Sequence, residues 1–491
     1  MTRAGLAGIA VSAMLALAFT GRAQAGGVTV IPYATDAGPA LWHVQVAGTH
    51  VESVDASGAL QWSVSPSNGA AADCAGVIQY TLLIDDTNGD GLVDAGRGEH
   101  ALLSVSSSWR DGAGWQSAVL ALDVSRPGTP QLLWRHDADE LPRLGRLVAA
   151  PTILRLRLDG TNRVPPGPVV LLGGGLPTPA TSGHGARDGA ALLMLDAIGG
   201  TVLWTMAASG KANQHLPALT AGISGAVTAL DLNHDGLTDR LYVGDADASL
   251  WRFDLAGGRG RAAFLAGGRL ARLADPSVPL GRSLIAAPDV ALIATPGIAP
   301  WFNVAVGTVQ ATGATVAAVS QGLFVLRDRH PFDALGQDDY DGLAPVAAAD
   351  LPATADAVAD SAPGFRIDVG GAGILARALT TAGVLLYTQV SGADPLNACA
   401  AATQIVIVKV SAVSALDGHT ALDLDANGRV DAADRAVALP VGKADPLDGV
   451  RLEPVADAAR GMGCRIGTAL LSACPRIARL TRRYWRREDA D

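Results

Sequence analysis

Apolar and polar positions fall in short runs along most of the chain, and four stretches repeat one arrangement. An apolar run meets an Asp, a short turn follows, and a second apolar run ends in Trp. The four are VESVDASGALQW (51–62), LALDVSRPGTPQLLW (120–134), LLMLDAIGGTVLW (192–204) and LYVGDADASLW (241–251). Each predicts a β-hairpin, because Val- and Leu-rich runs flank a turn with a residue able to take positive φ. Trp62, Trp134, Trp204 and Trp251 end the second strands, where a large ring can lock one sheet against the next. Weaker strand pairs read at VALIATPGIAPWFNVAVGT, TVAAVSQGLFVLRD, GVLLYTQV and TQIVIVKVSAV. Almost no segment keeps an amphipathic helical period, so the chain reads as all-β. A hairpin recurring at intervals of tens of residues predicts radial repetition, a β-propeller. Sequential sandwiches are the alternative, but no low-complexity linker divides the chain. The stretch 338–365 could hold a loop excursion.

Composition narrows the class. Hydrophobic residues make up 49% of the chain and aromatics 4%, with a net charge of −10. A chain this apolar folds, and its acidic balance argues against nucleic acid as a partner, which needs basic faces. The N-terminus places a short basic segment before an apolar run and the small residues AQAGG. That order predicts a signal peptide over 1–25 with cleavage after Ala25, leaving 26–491 as the propeller of an exported protein. No later segment approaches the roughly 18 apolar residues of a spanning helix. Cys74, Cys399, Cys464 and Cys474 suit disulfides in an oxidising compartment. Closeness in sequence favours Cys464–Cys474, leaving Cys74 with Cys399; buried free thiols are the alternative.

Nine of the 47 acidic residues fall in three short loops: DTNGDGLVD (86–94), DLNHDGLTD (231–239) and DLDANGRVD (423–431). All fit D-x-[DN]-x-[DN]-G-x-x-D, the spacing of an oxygen cage for Ca2+. Side chains at positions one, three and five point inward, the carbonyl at seven adds a ligand, and nine closes the set. The candidate ligands are Asp86, Asn88, Asp90, Leu92 and Asp94; Asp231, Asn233, Asp235, Leu237 and Asp239; and Asp423, Asp425, Asn427, Arg429 and Asp431. Gly91, Gly236 and Gly428 permit the sharp turn at position six. At position twelve the third loop carries Asp434, like the dockerin-type EF-hand loop, whereas the first two carry Arg97 and Tyr242. The first two are therefore expected to lack a twelfth ligand. His234, at an even position, should face outward. The GGG at 173–175 lacks the Lys and helix of a phosphate loop and reads as a strand turn.

The run AVTALDLNHDGLTDRLYVGDADASLWRFDL (226–255) resembles the propeller of the PilC/PilY family of type IV pilus biogenesis and tip-associated proteins. The two upstream hairpins, LIAAPDV, VAVGT and the closing LTRRYWRRE follow in that family's order. The resemblance implies a modified, quinoprotein-like propeller of about seven blades, with calcium held by Asp231, Asn233, Asp235, Asp239 and the Leu237 carbonyl. It also implies a non-enzymatic role in pilus assembly, retraction control and adhesion. Minor pilins or the outer-membrane secretin would be partners, together with a host or surface ligand. The expected location is the periplasm or outer membrane, or the pilus tip and cell surface. The propeller is expected to begin almost directly after the signal peptide, where family members usually carry a long N-terminal region, and the loops at 86–94 and 423–434 are not features of the family's central motif. A quinoprotein dehydrogenase and a pilus-independent calcium-dependent adhesin are the competing readings.

Overall fold

The computed structural model describes residues 24–474 apart from 26–28, 68–73, 113, 159–166, 180–186, 256–259, 279–280, 295–296, 312–318, 354–357, 392–406, 440–448, 455–461, 467–468 and 472–473. The expected signal segment before Gln24, the closing run LTRRYWRRE and Cys399 lie outside the described residues, so the Cys74–Cys399 pairing does too. Gln24–Ala25, at the expected cleavage site, form β1 and pair with Thr81 and Leu82.

The strands form a chain-order series of antiparallel sheets. The first holds β2 (Thr29–Thr35), β3 (Gly38–Ala47), β4 (His50–Asp55) and β5 (Leu60–Val64). The second holds β6 (Cys74–Asp85), β7 (His100–Asp111), β8 (Gly114–Asp123) and β9 (Gln131–Asp137), with β1 on β6. The third holds β10 (Thr152–Leu154), β11 (Val169–Gly173), β12 (Ala191–Asp196) and β13 (Val202–Ala207), and the fourth holds β15 (Thr228–Leu230), β16 (Arg240–Gly244), β17 (Ser249–Leu255) and β18 (Leu265–Arg272). Each of these two gains a short parallel fifth strand, β14 (Gln214–His215) and β22 (Val346–Ala347). The fifth holds β19 (Asp289–Ile293), β20 (Trp301–Gly307), β21 (Gln321–Asp328) and β23 (Gly364–Gly370), and the sixth holds β24 (Leu379–Thr381), β25 (Val384–Ser391), β26 (Ile407–Ser414) and β27 (Val437–Ala438). A three-stranded sheet of β28 (Arg451–Pro454), β29 (Met462–Ile466) and β30 (Ala469–Leu470) follows. The fold is thus an all-β propeller. Among the described residues six sheets reach the four strands of a blade, where about seven blades were expected.

Each blade stacks on the next through apolar side chains. The third and fourth blades share Leu171, Met194 and Trp204 with Leu241, Phe253 and Phe264. The fourth and fifth share Tyr242 and Leu250 with Phe302, Val304 and Phe324. Stacking on both faces explains why β20 and β21 are buried along their whole length. The four expected hairpins are β4–β5, β8–β9, β12–β13 and β16–β17. Their aspartates make the turns: Asp245 Oδ1 accepts the N–H of Asp247 and Ser249 at 2.9 and 2.7 Å, and Asp55 Oδ1 accepts Ser57 and Ala59 at 2.8 and 3.1 Å. Two of the tryptophans bridge blades, since Trp134 donates to the Ala197 carbonyl and Trp204 to the Arg261 carbonyl, both at 2.9 Å. Trp251 instead donates within its own hairpin, to Asp245. The GGG run ends β11 in a close backbone approach: a Cβ on Gly173 would sit 2.2 Å from the Ile223 carbonyl oxygen.

The expected excursion near 338–365 has a definite path. After β21 the chain crosses to the fourth blade, forms the short helix α1 (Gln337–Gly342) against β18, adds β22, and returns as β23. Two fully buried arginines, Arg240 and Arg252, hold it by donating to the carbonyls of His330, Pro331 and Asp333. Their charges are matched by buried Asp254 and Asp328 at 2.6–2.8 Å. The expected Cys464–Cys474 disulfide is present and ties β29 to the segment after β30.

Candidate metal centres

The three acidic loops lie between strands of single blades: 86–94 joins β6 to β7, 231–239 joins β15 to β16, and 423–434 lies between β26 and β27. They share one backbone pattern. The position-six glycines Gly91, Gly236 and Gly428 take φ of 88°, 85° and 86°, and position four is also left-handed at Gly89, His234 and Ala426. In each loop the first Asp accepts the N–H of that glycine at 2.8–2.9 Å: Asp86 from Gly91, Asp231 from Gly236, Asp423 from Gly428. The position-three side chain accepts the position-five N–H, and the position-five side chain accepts the position-seven N–H. The three loops are therefore one structural motif, and His234 is exposed as expected.

A further acid, Glu99 or Asp434, closes each outer loop, and the position-nine Asp239 closes the central one. Glu99 accepts the N–H of Asn88 and Asp94 and the Thr87 hydroxyl. Asp239 accepts Leu232 and Asn233, and Asp434 accepts Leu424, Asp425 and Asp431. Glu99 was not among the expected ligands. Position twelve is Arg97 as expected, and the turn of 3-10 helix at Ala95–Arg97 places this acid two residues beyond it. Only an acid just beyond the motif signals this in sequence.

Oxygen atoms of Asp86, Asp90 and Glu99 lie within 4.8 Å of one another, as do those of Asp423, Asp425 and Asp434. The position-nine residues of these two loops turn elsewhere: Asp94 caps Gly96 and pairs with Arg97 at 3.2 Å, and Asp431 caps Ala433. Glu99 and Asp434 are fully buried, and Asp86 nearly so. The bonds to Glu99 and Asp86 come from neutral donors. Gathered carboxylates in such a setting repel one another unless a cation sits between them.

The central loop differs. Asp231 Oδ1 is shielded from solvent and meets no donor, so an oxygen is left for a ligand the protein does not supply. Burial pushes the Asp239 carboxyl above its ordinary value, opposed by the Leu232 and Asn233 N–H groups and reinforced by the charges of Asp231 and Asp235. Both features suit a hard divalent cation such as Ca2+. Asp235 Oδ2, however, faces Arg157 Nη2 at 3.0 Å.

No family model matches the chain. Among curated proteins it is 31% identical over 165 residues to the type IV pilus biogenesis factor PilY1 of Pseudomonas aeruginosa strain UCBPP-PA14, a match spanning 31% of this chain and 12% of that protein. It is 32% identical over 142 residues to PilY1 of strain PAO1, spanning 29% of this chain and 10% of that protein. The match thus takes in about a tenth of these relatives' length. Among solved structures, the C-terminal domain of P. aeruginosa PilY1 superposes with a TM-score of 0.56 at 18% identity, covering 88% of this chain and 92% of that one. That likeness carries the fold, and the sequence matches carry the kinship. Its propeller is thus similar in fold to the C-terminal domain of PilY1, and about a third of the chain is similar to PilY1 in sequence.

Proposed function

We propose that this protein is a calcium-binding, non-enzymatic accessory factor of type IV pilus biogenesis, supporting pilus assembly, retraction control and surface adhesion. Its pilus role rests on the kinship with PilY1. Its calcium role rests on one observation, the solvent-shielded and donor-free Asp231 Oδ1 at the head of a loop with calcium-cage spacing. Asp231, Asn233, Asp235, Asp239 and the Leu237 carbonyl would hold the ion in the central loop. In the outer loops Asp86, Asn88, Asp90 and Glu99, and Asp423, Asp425, Asn427 and Asp434, would do so. Bound calcium would supply fixed positive charge among crowded carboxylates, and the chain's own residues would supply the cage and its attachment to the strands. The protein would act exported, in the periplasm, outer membrane or pilus tip, through minor pilins, the secretin or a surface ligand. No helix of the described residues is long and apolar enough to cross a membrane, which says nothing of a β-barrel.

The test is calcium titration of the purified protein by calorimetry beside Asp231→Ala, followed by a pilus-dependent motility assay of a strain carrying that substitution. Saturable binding partly lost in the variant, with altered motility, is the expected result. Absence of binding up to millimolar calcium, the range of weak extracellular modules, would overturn the calcium role. A quinone absorbance in the purified protein would favour a dehydrogenase instead.

A further inference from the structure

The segment after β10 lies between the first two acidic loops. The Arg155 carbonyl accepts the Thr238 N–H at 2.8 Å, fixing the third blade to the end of the central loop. The Arg155 guanidinium pairs at 2.9 Å with Asp85, the residue before the first loop. Two residues on, Arg157 Nη2 meets Asp235 Oδ2 at 3.0 Å. Asp235 Oδ1 already accepts the Leu237 N–H, so both oxygens of this position-five ligand are engaged. Asp231 Oδ1, across the same loop, has no donor. Asp94 in the first loop also carries a guanidinium, but that of Arg97 comes from the loop itself. Arg157 comes from the neighbouring blade.

We propose that Arg157 is a built-in counter-ion that competes with the divalent cation for Asp235 and so sets the cation affinity of the central loop from the adjacent blade. The inference rests on the calcium reading of that loop given above. Without the metal, the guanidinium offsets the crowding of Asp231, Asp235 and Asp239. When the metal binds, Arg157 either leaves Asp235 or stays as a like charge a few ångströms away, and both weaken binding. The pair is solvent-facing, with side chains 47% and 32% exposed, so the effect belongs to the screened regime, on the order of tenfold in affinity. Salt should diminish it.

The experiment titrates calcium into the full chain by calorimetry and identifies the central loop as the isotherm removed by Asp231→Ala. Arg157→Gln removes the charge and keeps a polar side chain; Arg157→Lys keeps the charge. The expected result is that Arg157→Gln tightens that isotherm about tenfold at low salt and less at high salt, while Arg157→Lys stays near wild type. Thermal melts give an independent readout: Arg157→Gln should lower the melting temperature in chelator and enlarge the gain on adding calcium. An unchanged or weakened isotherm in Arg157→Gln, or equal effects of Gln and Lys, overturns the competition while leaving calcium binding intact. If Asp231→Ala removes no isotherm at all, the calcium reading itself fails and takes this inference with it.

Discussion

At the scale of single residues, the loops depend on a few side chains with separable tasks. Position-six glycine supplies the left-handed turn, and the first Asp clamps that glycine's N–H. Glu99→Gln tests whether the closing acid is a ligand, because the amide removes the charge while its one oxygen still accepts either Asn88, on Oε1 in the acid, or Asp94, on Oε2. The expected outcome is loss of one calcium isotherm with the fold unchanged; retention of every isotherm would restrict Glu99 to capping. Asp55 allows a prediction free of metal. The Ser57 hydroxyl, then the Ala59 N–H, hold its carboxyl below the ordinary value of 3.8. Its folded form therefore binds fewer protons than the unfolded chain. The turn's contribution is fully present above 3.8 and fades as pH falls through the depressed value. A carboxyl-carbon titration by NMR should place the Asp55 midpoint below 3.8, and a midpoint at or above it would refute the assignment. The acidic spacing was fully legible from the sequence. Glu99 was not, because a short helical turn of variable length lies between it and the motif, and Arg157 was not, because it is near in space and 78 residues away in the chain.

At the scale of elements, the hairpins were legible because alternation and turn chemistry are local. The blade-to-blade contacts of Trp134 and Trp204 followed from ring size and position, whereas Trp251 found a nearer partner in its own turn. Trp204 is fully buried between the third and fourth blades. Truncation there leaves a cavity and an unpaired Arg261 carbonyl, so Trp204→Ala should cost about 3–5 kcal/mol, read as a shift in the denaturant midpoint. The excursion after β21 was visible only as a weak break in pattern, since its anchors are distant. Arg252 reaches 76 residues along the chain to Asp328 and also meets Asp254. Removing this arginine takes the cation from buried Asp328, while Asp254 keeps Arg240, and Arg252→Ala should cost about 3–5 kcal/mol. A joint replacement of Arg252 and Asp328 by apolar residues of similar size should cost less than the single truncation, because Asp254 keeps Arg240 and no uncompensated charge remains. If the double variant is the less stable, the pair does more than balance its own charge.

At the scale of the whole molecule, the propeller is assembled by apolar stacking, and the acidic loops ride on it. Val93 and Leu424 reach from the outer loops into the blade interfaces, but none of the candidate carboxylates joins an apolar cluster. The recurrence of hairpins made this architecture legible. The number of blades was not, because strand counts differ from sheet to sheet and the last described sheet has only three. The same separation decides what metal removal does. A small metal-organised domain unfolds without its ion, whereas here the interfaces persist and the ion adds only its linkage term. At calcium about ten times the dissociation constant, that term is about 1.4 kcal/mol for each occupied site. Chelator should therefore lower the melting temperature by a few degrees while leaving the far-ultraviolet β signal unchanged at room temperature. Hydrogen exchange should quicken at 86–99, 231–239 and 423–434 and stay slow in β12, β17 and β21, the buried strands of three successive blades. Loss of the β signal in chelator, or exchange spreading evenly through those strands, would mean that the cations hold the ring itself and that apolar stacking is not sufficient.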